Sequence, residues 1–174
     1  MRIVSGSDYD PIEVFRAVIK NAPYGPQAPH AQYKIGLYLA GKGLYQEARD
    51  EFEKAMNDYP NSEWTRAAKY QIALVDAQRS SGAAYNQKVT EVAIQEFKDF
   101  LKAHPDAELS QDAKSQIYRL REKEAESQFS IALFYEKQKK WNSAKVYYNS
   151  VISDYKDTSW AKKAAERLRE LGKK

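Results

Sequence analysis

The chain repeats itself, and the repeat leaves few folds open. Aligned on a closing proline, Pro23, Pro60 and Pro105 each end an apolar stretch, and a fourth copy has Lys156 in that place. Ala48, Ala93 and Ala144 share one column, with Pro11 in the first copy. The next column holds Phe15, Phe52, Phe97 and Tyr148. A second set opens the facing segments: Tyr33-Lys34-Ile35-Gly36, Tyr70-Gln71-Ile72-Ala73 and Phe129-Ser130-Ile131-Ala132. The spacing within each segment is helical, with apolar residues three or four apart. A pair of such helices cannot bury its apolar face alone, so it must stack on further copies.

The closing positions are 37, 45 and 51 residues apart, against about 34 for a plain tetratricopeptide repeat. The predicted fold is all-α, a right-handed solenoid of tetratricopeptide-type helix pairs. It comprises a half repeat, three complete repeats and a C-terminal capping helix, in a single domain over residues 1–174. In the best-formed repeat, Ile35, Gly36 and Leu39 share a face of the first helix, and Gly41 and Gly43 break it. Ala48, Phe52 and Ala55 share a face of the second, and Pro60 closes it. Gly36 and Ala48 are expected where the two helices touch, with Phe52 filling the space toward the next helix. Asn61 or Ser62, and Asp106, are candidate caps for the helices that follow.

Residues 10–22 read as a second helix without its first, so a piece of a longer chain is expected. The interval from Gly36 to Ala48 is 12 residues, but from Ala73 to Ala93 it is 20. The eight extra residues are expected in a loop at one edge of the solenoid. Residues 109–138 contain no glycine or proline. They predict one long helix, or two with a kink near Glu122 to Glu124. Trp160 to Leu171 predicts the closing helix.

Composition narrows the function. Cysteine is absent, which excludes disulfides, thiolate metal sites and a cysteine nucleophile. His30 and His104 are lone histidines beside prolines and read as solvated turn residues. No metal-protease, phosphate-loop or nucleophile-elbow motif occurs. Carboxylates are expected on exposed helix faces with basic residues at helical spacing, such as Glu51 with Lys54, and Glu122 and Glu124 beside Lys123. The chain is therefore expected to be no enzyme, with no catalytic residues, cofactor or metal site. No apolar run approaches the ~18 residues of a membrane helix. The net charge of +4 is uneven. Lys137 to Lys174 carries 11 Lys and Arg against 4 Asp and Glu, and the remainder is net negative. A basic end of this kind suits an acidic partner or anionic phospholipid; a solvated face with a basic last turn suits it equally. No nucleic-acid reader motif accompanies it, so no nucleic acid is expected.

The order of elements resembles the BamD family of outer-membrane β-barrel assembly lipoproteins. The resemblance runs from Asp10 to Leu171. It rests on Pro23-Tyr24-Gly25-Pro26, on Tyr33-Lys34-Ile35-Gly36 and on the insertion between Ala73 and Ala93. It rests also on the stretches Ile117–Ala125, Phe134–Trp141 and Asp154–Thr158. It implies a non-catalytic periplasmic scaffold on the outer membrane. Its partners would be a barrel-insertase subunit, held through its periplasmic domains, and unfolded outer-membrane proteins. Membrane attachment would come only through a lipid anchor missing from this chain, which as given reads as a soluble fragment. By position, residues 129–174 would face the insertase. A related reading is a general repeat adaptor, of the envelope cell-wall-coordinator type or cytosolic, with an unrelated peptide ligand.

Two surfaces are candidates for binding. On the first helices, Tyr33, Tyr70 and Phe129 form one column and Leu37, Leu74 and Leu133 another, four residues on and hence on the same side. They line a groove for an apolar peptide or else pack as core. No Lys/Asn carboxylate clamp of the chaperone-binding type stands at these positions. The second surface is the basic C-terminal end: Lys162, Lys163, Arg167 and Arg169.

Overall fold

The structure, a computed structural model, describes residues 10–80, 87–106 and 108–172. Among them are eight helices and no strand. They are α1 (Pro11–Asn21), α2 (Ala28–Gly41), α3 (Tyr45–Asp58), α4 (Glu63–Ser80), α5 (Gln87–Ala103), α6 (Ser110–Lys137), α7 (Trp141–Asp154) and α8 (Ser159–Leu171). The chain divides into two compact units, residues 1–103 and 104–174.

In the first unit α1 packs on α2, α2 on α3, α3 on α4 and α4 on α5. The Asp10 side chain caps α1 by accepting from the Ile12 amide at 2.9 Å. Pro11 follows at the first helical position, where its missing N–H costs nothing. Ala48, Phe52, Ala93 and Phe97, the recurring small and aromatic columns, are fully buried. Gly36 is required by Phe52: a Cβ at 36 would stand 2.5 Å from the ring. The close approach is thus between a backbone and a ring, and Phe52 packs back onto α2 rather than only toward the next helix. Ser62 caps α4 by accepting from the Trp64 amide at 3.2 Å. Asp106 does not cap α6, whose N-cap residue is Leu109 and which has no side-chain cap bond.

The eight-residue insertion is mostly helix, not loop. α4 runs seven residues past Ala73, where α2 runs five past Gly36, and α5 starts six before Ala93, where α3 starts three before Ala48. Five of the extra residues therefore extend the two helices. The rest of the expected loop, residues 81–86, lies outside the described residues.

In the second unit α6 is one uninterrupted helix of 28 residues. α7 packs on it, and α8 closes the pair by contacting both. Ala132, Ala144 and Tyr148 occupy the repeat columns and are fully buried. One pattern of rings recurs. Tyr33 meets Phe52 at 5.6 Å and Trp64 at 5.1 Å. Phe129 meets Tyr148 at 5.3 Å and Trp160 at 5.1 Å. The sequence intervals are the same in both, 19 and then 12 residues. Each triad binds a helix pair to the start of the next helix. In the middle repeat Tyr70 meets Phe97 at 5.7 Å, and its second ring is Phe100 of the same helix, at 5.5 Å.

Candidate interaction surfaces

The triads place the aromatic column. Tyr33 and Tyr70 are buried, and Phe129 is half-buried between two rings. Gln71 Nε2 reaches the Tyr33 hydroxyl at 3.4 Å, and burial pushes that hydroxyl above its ordinary value. The leucine column is different. Leu37 and Leu74 are half-buried on α2 and α4 of the first unit, Leu37 against the core. Leu133 is half-buried on α6 of the second. The leucines and Phe129 keep surface that a partner can reach; Tyr33 and Tyr70 do not.

At the basic end, Lys162, Lys163 and Arg169 are exposed on α8. Lys163 Nζ lies 3.7 Å from the centre of the Trp160 ring, and Arg169 Nε donates to the Ala165 carbonyl at 3.4 Å. Arg167 has another task. It is paired with Glu136 of α6 and Glu170 of α8. Glu136 is buried and also accepts from the Tyr148 hydroxyl at 2.7 Å. Burial, with that carboxylate beside it, pushes the Tyr148 hydroxyl up to about 12. Arg167 therefore pins α8 to α6. Glu122 does a similar task at the other end of α8, accepting from the Ser159 amide and the Tyr118 hydroxyl, both at 2.6 Å. Partial burial works against the charged form of Glu122. These hydrogen bonds, with Lys163 nearby, outweigh it and hold the carboxyl below its usual range.

A polar cluster in the first unit escapes the sequence reading. Arg49 of α3 donates from Nε to buried Asp76 of α4 at 3.0 Å and from Nη2 to Glu96 of α5 at 3.0 Å, and it also pairs with Glu53. Arg79 reaches Asp76 at 2.8 Å. Burial and the neighbouring charge of Asp76 push the Glu96 carboxyl up to about 7, against the pull of Arg49. The cluster borders an open cleft of about 460 Å³, with Ile72, Met56 and Lys69 along its walls. The available signal was Asp76 itself, a carboxylate inside the apolar run Ile72–Ala77. Several carboxylates expected on exposed faces are in fact buried: Glu51, which pairs with Lys54 at 2.7 Å and accepts from Gln32, and Glu124 and Glu136. Gln32 reaches Glu51 from α2, and Tyr148 and Arg167 reach Glu136 from α7 and α8. His30 is likewise no solvated turn residue. It lies within α2, stacked on Trp64 at 4.3 Å. Among the described residues no group of three or more His, Asp or Glu is placed to hold a metal, and no helix is long and apolar enough to cross a membrane.

Paired helices with small–aromatic columns, ring triads and half-exposed leucines define a tetratricopeptide-type helical-repeat protein, a class that works by holding other proteins. The tetratricopeptide pattern itself matches residues 30–62. The YfiO pattern, described as outer membrane lipoprotein, matches residues 72–173, more than half of the chain. The chain belongs to this YfiO family of outer membrane lipoproteins. It is similar to "Outer membrane protein assembly factor BamD" of Caulobacter vibrioides, 23% identical over 167 residues, which cover 96% of this chain and 55% of that protein. The protein of the same name from Xylella fastidiosa strain 9a5c is 22% identical over 168 residues, covering 90% of this chain and 57% of that one. The chain thus spans about half the length of the curated relatives it matches.

Proposed function

We propose that this chain is a non-catalytic scaffold in the assembly and insertion of β-barrel proteins into the outer membrane. The observation that carries the reading is the YfiO match over residues 72–173. The fold supports it: polar groups with shifted protonation, such as Glu96 and Tyr148, are tied into helix–helix contacts. The partners are a barrel-insertase subunit with periplasmic domains, and unfolded outer-membrane proteins. The protein works on the periplasmic face of the outer membrane, as part of a longer lipid-anchored chain. Lys162, Lys163 and Arg169 present the basic end to the insertase, with Arg167 holding their helix in place. Leu37 and Leu74 in the first unit, and Leu133 in the second, offer apolar contacts to unfolded segments. The rings of Tyr33, Tyr70 and Phe129 support them from beneath.

The test is capture from envelope extract with this chain as bait. The expected result is recovery of a barrel-insertase subunit, identified by mass spectrometry, and its loss with Lys162→Glu, Lys163→Glu and Arg169→Glu combined. Arg167 is left intact so that α8 stays docked. Recovery of soluble proteins alone, indifferent to the variant, would sink the reading and leave a general repeat adaptor.

A further inference from the structure

Two turns of this chain have one backbone and opposite chemistry. The turn from α2 to α3, residues 41–45, reads Gly-Lys-Gly-Leu-Tyr, and the turn from α6 to α7, residues 137–141, reads Lys-Gln-Lys-Lys-Trp. The two bonds that close each turn correspond. Gly43 N donates to the Ala40 carbonyl at 3.0 Å, and Lys139 N to that of Glu136 at 2.9 Å. Leu44 N donates to Leu39, and Lys140 N to Tyr135, both at 3.0 Å. Gly43 has φ +76°, in the left-handed region that favours glycine. Lys139 stands at φ +59° and is the one non-glycine residue with positive φ among those described. Folding asks for glycine here, and the chain has lysine.

The change extends beyond the turn. Glu47, Asp50, Glu51 and Glu53 of α3 correspond to Ser143, Val146, Tyr147 and Asn149 of α7. All four carboxylates are gone, and none occurs from Lys137 to Ser153. The adjacent carboxylate, Glu136, is buried against Tyr148 and Arg167. Lys137, Lys139, Lys140 and Lys145 are exposed. Apolar side chains stand among them: Phe134 is 56% exposed, Val146 66% and Trp141 37%. Tyr135 stacks on Tyr147 at 5.4 Å and lies under Lys140, whose Nζ is 5.9 Å from the ring centre. A helix C-terminus favours nearby cations, but the end of α2 is equally a C-terminus and carries one lysine in its turn.

We propose that the α6–α7 turn docks on an anionic phospholipid bilayer surface. Lysine is a hydrated point charge on a flexible stem, suited to a diffuse anionic surface; bidentate capture of a carboxylate favours arginine. Aromatic and aliphatic tips interleaved with lysines, and no acid, are the chemistry of the membrane–water interface. This contact is additional to any lipid anchor, and it holds or fails independently of the assembly role.

Co-sedimentation of the whole chain with vesicles of phosphatidylcholine, with and without phosphatidylglycerol, tests it. The expected result is partitioning only where phosphatidylglycerol is present. Each lysine is worth about fivefold at such a surface, so Lys137→Ala, Lys139→Gly and Lys140→Ala combined should lower partitioning on the order of 100-fold. Lys139→Gly recreates the Gly43 geometry, so the turn is kept, and circular dichroism reports the helices. Lys162→Ala with Lys163→Ala, on α8, should lower it less than about tenfold. Failure of phosphatidylglycerol to recruit the chain, or unchanged binding by the triple variant, would overturn the proposal. So would capture of soluble polyglutamate in place of vesicles, which would assign the turn to an acidic protein partner.

Discussion

Position 36 shows how a single atom sets a repeat. Phe52 fills the space a Cβ would need, so Gly36→Ala should destabilise the first unit by about 1–3 kcal/mol, the usual penalty of overpacking, read from denaturant melts. Positions 43 and 139 make a matched pair of opposite sign. Gly43→Ala places a side chain at positive φ and should cost about 1 kcal/mol, whereas Lys139→Gly relieves the same strain and should hold or raise the melting temperature. Equal losses at both sites would show that the two turns are not energetically equivalent. The repeat columns were legible from residues alone, because Ala48, Ala93 and Ala144 recur in register with Phe52, Phe97 and Tyr148, as a small residue beside a large one does where helices pack in repeats. The strain at Lys139 was not legible. Nothing in Lys-Gln-Lys-Lys announces a left-handed residue until the turn is seen beside that of Gly43.

Helices here are joined by buried ion pairs as well as by rings. Arg167→Ala removes the partner of buried Glu136 and should cost about 3 kcal/mol, because the remaining carboxylate is left with Tyr148 alone. Glu136→Gln added to it should recover part of the loss; a second loss of equal size would contradict the assignment. The Arg49–Asp76–Glu96 cluster makes the α3, α4 and α5 contacts pH-dependent. Glu96 is raised to about 7 in the folded state from an ordinary carboxylate value near 4.5. Its protonated form therefore favours folding, a contribution complete below about pH 4.5 and lost as pH rises through about 7. Glu96→Gln should be neutral at about pH 5 and stabilising by about 1 kcal/mol at about pH 8, in thermal melts across that window. The lengths of α4 and α5 belong to this scale too. An insertion was legible from the 20-residue interval, but not its division between helix and loop, because residues 74–80 and 87–92 carry no glycine or proline to mark an end.

Over the whole molecule the charge is lopsided, with the positive excess beyond residue 136. If the exposed lysines of α8 carry partner binding, capture of the insertase subunit should weaken steadily as salt rises from about 0.05 to 0.5 M, as the screening length falls below about 10 Å. Insensitivity to salt would move the interface to the leucines of the first helices. The all-α repeat architecture, the helix pairs and the family were determined by the sequence alone. Period, small–aromatic columns and breakers act locally, within a few residues of the bonds they govern. The tertiary structure decided which members of each column are core and which are surface. It also decided which charges are buried. Tyr33 and Leu37 share a helix face, but only the packing of Phe52 and Trp64 puts the ring inside and leaves the leucine half out. Arg49, Asp76 and Glu96 meet across three helices, separated by 27 and 47 residues from Arg49. A charged residue on a helix reads the same in sequence whether water or another helix faces it, and that difference is made only when the helices pack.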